Sequence, residues 1–352
     1  MASLKNSANG LPIVQGIELV PTHQLPDRIR SCFPFPLFNA MQSKCFATAY
    51  KSNDNLVLSS PTGSGKTAIL ELAICRLVLQ SQAHRYKIIY QAPTKSLCSE
   101  RQKDWQTKFS HLGLECSELT GDTDQNQLRY VQNADVIITT PEKWDSVTRK
   151  WKDHRKLMEL VKLFLIDEVH ILKEDRGACL EAVVSRMKSI GSDVRFVALS
   201  ATVPNSEDIA IWLGRNTWNR GEPAAREVFG EEFRPVRLQK HVLGFQSAGN
   251  DFQFEQVCNN QYGVSIHYCQ LIVADCLHSL TNVISKHSQG RPIMVFCFTR
   301  KSTEQTAELL ARWWSDSKPQ DQHWTCPSRQ LRVSDEALRS MPYISGFPTR
   351  LR

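Results

Sequence analysis

The chain has 352 residues, 41% hydrophobic and 22% charged, a balance that excludes a disordered or fibrous polypeptide and, by length, predicts two domains. Lys and Arg number 43 against 36 Asp and Glu, a net charge of +7; so mild an excess permits a nucleic-acid partner without demanding one. Eleven cysteines are scattered from Cys32 to Cys326 without a C-x-x-C pair, which points to reduced thiols, some of them core residues such as Cys75 and Cys297, and away from a disulfide framework or a zinc site.

The N-terminal sequence MASLKNSANGLPIVQG has no charged start followed by an apolar stretch, and no run approaches the ~20 apolar residues of a membrane span. The expectation is a protein neither secreted nor membrane-embedded. Pro12, Pro21, Pro26, Pro34 and Pro36 make residues 1–36 read as an irregular lead-in, with order starting near Leu37. Short β-rich runs then alternate with helical patterns: Leu56–Leu58, Lys87–Tyr90, Asp135–Thr139, Val161–Ile166, Val194–Leu199 and, much later, Ile293–Phe298. Their near-continuous apolarity requires cover on both faces, the mark of an α/β domain built on a parallel sheet with helices on each side. Between the fifth and sixth runs, residues 221–288 contain REVFGEEFRPVRLQKHVLGF, read as a hairpin or an extended crossing. The division that follows is 1–36 lead-in, 37–230 first domain, 231–290 connection and 291–352 start of a second domain.

The strongest motif is Ser60-Pro61-Thr62-Gly63-Ser64-Gly65-Lys66-Thr67, between the apolar strand Leu56–Leu58 and the helical AILELAICRLVL. This is the strand, glycine loop and helix order of a phosphate-binding loop. Glycines let several backbone N–H groups converge on one anion, and the helix N-terminus adds its positive dipole end. Lys66 then reaches the β- and γ-phosphates of a nucleoside triphosphate, and the Thr67 hydroxyl is a Mg2+ ligand. Ser60 stands where Gly or Ala is more common, and a small residue is kept.

A second, acidic element is needed opposite the loop. The strand Val161–Ile166 runs into Asp167-Glu168-Val169-His170, placing two carboxylates at the carboxyl edge of the sheet, where open α/β folds bind ligands. Asp167 is the candidate metal partner, direct or outer-sphere, and Glu168 the residue that orients and deprotonates water. His170 is either an ordinary packed or exposed histidine or a link from the nucleotide site to the rest of the sheet.

With these residues in place the sequence resembles the superfamily 2 DExH-box helicases of the Ski-like group. Phe38 and Gln42 in FNAMQS resemble the Q motif that reads adenine, and Pro93-Thr94-Lys95 in APTKSL resembles motif Ia. Gly121-Asp122 in TGD resembles the following glycine motif, Thr140-Pro141-Glu142-Lys143 motif Ib, and Ser200-Ala201-Thr202 motif III. TTPEKWDSVTRKW, DEVHILKEDRG and FRPVRLQKHVLGF look most similar to the fungal meiotic crossover, or Mer-type, DNA helicases. The resemblance implies a RecA-like fold, ATP and Mg2+ as cofactors, and ATP-binding residues that include Phe38, Gln42, Ser60 to Thr67 and His170. It further implies 3′-to-5′ unwinding of single-stranded or branched DNA in the nucleus during meiotic recombination. Thr94, Lys95, Thr140 and Lys143 suit phosphate contacts along one strand without base reading, so RNA remains an alternative substrate. Protein partners are not legible. The basic run Arg149–Lys156 reads foremost as a solvated connection, with a phosphate contact or an import signal as the alternatives.

RPIMVFCFTR and the helical KSTEQTAELLARWW resemble the opening strand and helix of a second lobe. The stretch after Arg291 is shorter than a ~100–150 residue domain and holds no Q-x-x-G-R-x-G-R arginine motif. The expectations are an incomplete second lobe, weak hydrolysis without its charge clamp, and exposed apolar surface near Trp313 and Trp314. The alternative to a motor is an ATP- and nucleic-acid-binding module without unwinding.

Overall fold

The proline-rich segment before Leu37 is structured, contrary to the expectation of an irregular lead-in. Lys5–Asn6 (β1), Pro12–Val14 (β2) and Ile17–Glu18 (β3) form a small antiparallel sheet, and Asp27–Arg30 (α1) makes one helical turn. Leu25, Ile29, Cys32 and Phe33 are buried in the main core. Prolines fix φ locally but do not prevent intervening apolar residues from docking, and that docking is tertiary, so no local periodicity announces it. The computed structural model describes residues 5–6, 10–81, 86–122, 131, 133–150, 152, 155–190, 193–237, 239, 241, 279–287, 293–297 and 299–316.

The chain falls into two units, Met1–Gln239 and Lys240–Arg352. In the first, Ala40–Phe46 (α2) opens with a reciprocal cap: Gln42 N donates to Asn39 Oδ1 at 2.9 Å and Asn39 N to Gln42 Oε1 at 3.0 Å. There follow Leu56–Ser59 (β4), Thr67–Gln80 (α3), Lys87–Gln91 (β5), Lys95–Phe109 (α4), Cys116–Leu119 (β6), Val136–Thr139 (β7), Pro141–Arg149 (α5), Arg155–Leu160 (α6), Val161–Ile166 (β8), Gly177–Ser189 (α7), Arg195–Ser200 (β9), Ser206–Leu213 (α8) and Ala225–Val228 (β10). The strands form one seven-stranded sheet in the order β10-β4-β9-β8-β5-β7-β6, every pair parallel. The five expected strands of this domain are all present. The two that the sequence did not announce, β6 and β10, are the edges, where half-exposed side chains break the continuous apolar run.

Period-two alternation sorts the strand residues onto two cores. Leu58, Tyr90, Leu165 and Leu199 pack with α2, α3 and α4; Val57, Ile89, Phe164, Ile166 and Ala198 pack with α5, α7 and α8. Helix α3 is apolar nearly all round, from Ala68 to Val78, because it lies beneath α2 and α4.

In the second unit, Ser279–His287 (α9) and Arg300–Asp316 (α10) are helices. Thr299 caps α10, Ser302 N donating to its Oγ1 at 3.1 Å. Of the strand expected at Ile293–Phe298, Phe298 lies outside the described residues; residues 293–297 pair with no strand among the described residues, and Met294 and Phe296 are 77% and 89% exposed. An apolar run becomes a strand only where a neighbouring strand takes up its backbone groups. Of the REVF stretch, Ala225–Val228 is β10, parallel to β4, and neither a hairpin nor a crossing. Most of 240–278, the side chains of Trp313 and Trp314, and the sequence after Trp324 lie outside the described residues. Among the described residues no helix is long and apolar enough to cross a membrane.

Candidate active site

The sheet's carboxyl edge carries the phosphate loop, the acid pair and the segments that resemble motifs Ia, Ib and III and the glycine motif, and strand order divides them into two neighbouring sets. β4, β9 and β8 deliver the phosphate loop, Ser200-Ala201-Thr202 and Asp167-Glu168. β5, β7 and β6 deliver Pro93-Thr94-Lys95, Thr140-Pro141-Lys143 and Gly121-Asp122. The division falls between β8 and β5.

The loop backbone is bent by Gly63 and Gly65, at φ +80° and +87°, a region that favours glycine. Ser60 Oγ donates to Ser64 Oγ at 2.8 Å, a contact that the usual Gly or Ala could not make. Lys66, 9% exposed, donates from Nζ to Ser60 O at 2.8 Å and Pro61 O at 3.2 Å. Burial pulls its pKa down, while the Glu168 and Asp167 carboxylates oppose that shift. Thr67 is half-buried at the first turn of α3.

Gln42 and its neighbour Asn39 hold the loop from outside: Gln42 Nε2 donates to Gly65 O at 3.0 Å and Asn39 Nδ2 to Ser64 O at 2.8 Å. Both ends of the Gln42 amide are thereby engaged with the backbone of Asn39 and Gly65. Phe38, expected among the ATP-binding residues, is fully buried and cannot touch a ligand as placed. It packs against Phe33, Phe35 and Phe46 at ring distances of 5.2, 5.3 and 5.5 Å, so it anchors the segment that carries Asn39 and Gln42.

Asp167 is fixed at both oxygens: Tyr90 Oη donates to Oδ2 at 2.8 Å and Glu168 N to Oδ1 at 3.1 Å. Glu168 has φ +54° and ψ +48°, a left-handed conformation that a non-glycine residue keeps only when its surroundings impose it. Burial raises its pKa, Asp167 adds to the rise, and Lys66 and His170 oppose it. His170 Nδ1 lies 3.3 Å from Glu168 Oε2. The two atoms are within charge contact but not aligned as a hydrogen bond, and both are buried without a hydrogen-bond partner. His170 therefore touches the acid pair through Glu168.

Ser200 is fully buried, its hydroxyl also without a partner, and Thr202 is exposed. Ser59, which no motif includes, ties this segment to the loop strand, donating to Ala201 O at 3.1 Å and accepting from Val203 N at 3.2 Å. Arg234, quoted in the sequence only within FRPVRLQKHVLGF, also reaches the loop: its guanidinium would lie 3.8 Å from a Cβ on Gly63, brought there by a turn at Glu231–Phe233 that sequence spacing does not reveal.

In the other set, Thr94 caps α4, accepting from Leu97 N at 3.3 Å. Lys95 Nζ meets Asp122 Oδ1 at 2.7 Å beside Gly121, so two motifs separate in sequence share one surface. Pro93 and Lys143 are partly exposed there, while Thr140 and Pro141 are buried at the start of α5. In the basic run, Arg149 pairs with Asp145 at 2.7 Å and Arg155 with Glu159 at 2.8 Å, one helical turn apart, as on a solvated helix face; Trp151, Asp153 and His154 lie outside the described residues. A cavity of about 220 Å³ lined by Asn53, Arg76, Tyr86, Lys162 and Arg195 opens at the opposite, amino edge of the sheet and takes no part in this site.

The DEAD/DEAH box helicase family model matches residues 39–209. The chain is 46% identical over 310 residues to the "Probable ATP-dependent DNA helicase HFM1" of Xenopus tropicalis, with 84% of this chain and 22% of that protein covered. It is 45% identical over 289 residues to the ATP-dependent DNA helicase MER3 of Saccharomyces cerevisiae, with 81% and 22% covered. The chain spans about a fifth of the length of these relatives. The crystal structure of the DUF1998 helicase MrfA matches with a TM-score of 0.57 at 20% identity, over 88% of this chain and 44% of that one, which shows a shared fold. From the phosphate loop through Ser200-Ala201-Thr202, the chain belongs to the DEAD/DEAH box helicases.

Proposed function

We propose that the chain forms the ATP-binding and strand-contacting part of an ATP-dependent DNA helicase of the HFM1/MER3 type, which acts 3′ to 5′ on single-stranded or branched DNA in the nucleus during meiotic recombination. Residues 37–230 are the nucleotide-binding domain in this reading, 231–290 the connection and 291–352 the start of a second lobe. The observation that carries it is the continuous carboxyl edge, on which the phosphate loop and acid pair adjoin three strand ends bearing Thr94, Lys95, Asp122 and Thr140. The identity to relatives named as DNA helicases favours DNA.

The loop's N–H groups and the α3 N-terminus bind the triphosphate, and Lys66 exchanges its loop carbonyls for phosphate oxygens. Thr67 and Asp167 are the residues that would hold Mg2+, which when bound neutralises charge developing on the phosphates. They fit that role: a half-buried threonine and an oriented carboxylate, followed in the chain by Glu168, whose Oε2 has no hydrogen-bond partner. Glu168, its pKa raised above the ordinary carboxylate value by burial, orients and takes the proton of the attacking water. Ser200 and Ser59 link the loop strand to the segment after β9.

Glu168→Gln tests the reading. It should abolish ATP turnover and leave nucleotide binding intact; unchanged turnover would show that Glu168 is not the base. Competition between matched DNA and RNA single strands for the purified chain decides the substrate: tighter binding of RNA overturns the DNA assignment.

A further inference from the structure

We infer that Tyr90 is a positioning residue for the nucleotide site: its hydroxyl sets the orientation of Asp167 from across the boundary between the two sets of motifs. The inference rests on the assignment of Asp167 to the metal–nucleotide site above. Tyr90 sits on β5, the first strand of the strand-contacting set, and Asp167 follows β8, the last of the nucleotide set. The two strands are paired in register, Tyr90 opposite Leu165. Tyr90 is fully buried, and its Oη donates to Asp167 Oδ2 at 2.8 Å.

A buried phenol with no other use would be a costly way to fill a core that phenylalanine fills as well. Here its hydroxyl takes one carboxylate oxygen while Glu168 N takes the other at 3.1 Å, so the carboxylate plane is determined from two sides. The phenol is itself held from α4: Trp105 packs edge-on at 5.0 Å, and Arg101 stacks on Trp105 at 5.5 Å. Helix α4 starts at Thr94 and Lys95 and also reaches the phosphate-loop helix. Trp105 Nε1 donates to Glu71 Oε1 at 3.1 Å and Lys108 Nζ to the same oxygen at 2.5 Å. One helix thus grips both the carboxylate that faces the nucleotide, through Tyr90, and the helix that follows the phosphate loop, through Glu71. A shift of α4 when its N-terminus meets a strand would reach Asp167 through a single hydrogen bond.

The test is Tyr90→Phe in the whole 352-residue chain, read by the Mg2+ concentration that half-saturates binding of a fluorescent ATP analogue and by Mn2+ binding in electron paramagnetic resonance. Loss of a hydrogen bond to a charged group should raise the Mg2+ midpoint about tenfold, weaken Mn2+ binding similarly, and leave metal-free analogue binding unchanged. Asp167→Asn should raise it too, and Tyr90→Phe added to Asp167→Asn should have little further effect, a non-additivity that general loosening of the core would not produce. If the Phe variant does not fold, Arg101→Met, which leaves the phenol in place, should move the midpoint in the same direction by at least twofold. A midpoint unmoved by Tyr90→Phe, or by Arg101→Met in its place, or full additivity with Asp167→Asn, overturns the role of Tyr90 alone. A midpoint unmoved by Asp167→Asn overturns the metal-site assignment and this inference with it.

Discussion

The side-chain amide of Gln42 donates to the carbonyl oxygen of Gly65 at 3.0 Å, and a Cβ built on Gly65 would lie 2.7 Å from that same nitrogen. Gly65→Ala therefore combines a left-handed backbone strain of ~1–2 kcal/mol with displacement of Gln42 and loss of its hydrogen bond. At Gly63 the φ is similar, +80°, but the nearest atom to a new Cβ is Arg234 Nη2 at 3.8 Å. Gly63→Ala should cost ~1 kcal/mol in urea unfolding and Gly65→Ala ~2–3 kcal/mol. Equal costs would mean that the Gln42 contact contributes nothing.

That pair also shows what the sequence discloses. The phosphate loop, the acid pair and the parallel sheet are written locally, in glycine spacing and in apolar runs that end in charge, and each stands where the motif order places it. Gln42 and Phe38 are marked as functional by their motif alone, yet pattern cannot separate a residue that touches the nucleotide from one that holds the loop, because the separation lies in burial: Phe38 is sealed among three aromatic rings. Tyr90, Ser59 and Arg234 act through partners far along the chain, and such partners leave no periodic trace. The edge strands Cys116–Leu119 and Ala225–Val228 escape notice for a related reason, since Ser117 and Glu118 in the first and all four residues of the second are only partly buried or exposed and the apolar run never forms.

The junction of α5 and α7 predicts a pH dependence. Burial pushes the Asp145 pKa up, but hydrogen bonds from Arg186 at 2.5 Å and Arg149 at 2.7 Å outweigh it and leave the folded value below the ordinary 3.8. A depressed carboxylate contributes stability that is fully present above its unfolded pKa and is lost as pH falls through the folded one. Asp145→Asn should destabilise the chain by ~2 kcal/mol near pH 7, and urea midpoints should show the difference constant down to about pH 4.5 and narrowing only below about pH 4. A difference that shrinks between pH 7 and 5 would assign the effect to another group.

Two adjacent residues after the acid pair should behave oppositely. Arg176 Nε meets Glu142 Oε1 at 2.6 Å, but the two side chains are 41% and 47% exposed, so solvent screens the pair and Arg176→Gln should change stability by no more than ~0.5 kcal/mol. Gly177 opens α7 directly against the turn Val169–Lys173 that follows Glu168. A Cβ there would fall onto the Leu172 carbonyl and lie 2.7 Å from Leu172 Cα, and backbone atoms cannot swing aside as a side-chain tip can. Gly177→Ala should cost ~3 kcal/mol in urea unfolding and, by displacing the turn that holds Glu168 in its left-handed conformation, lower ATP turnover beyond what the loss of folded protein explains. A Gly177→Ala chain as stable as its parent would show that α7 can retreat from the turn, and would remove the turn's packing as the cause of the Glu168 conformation.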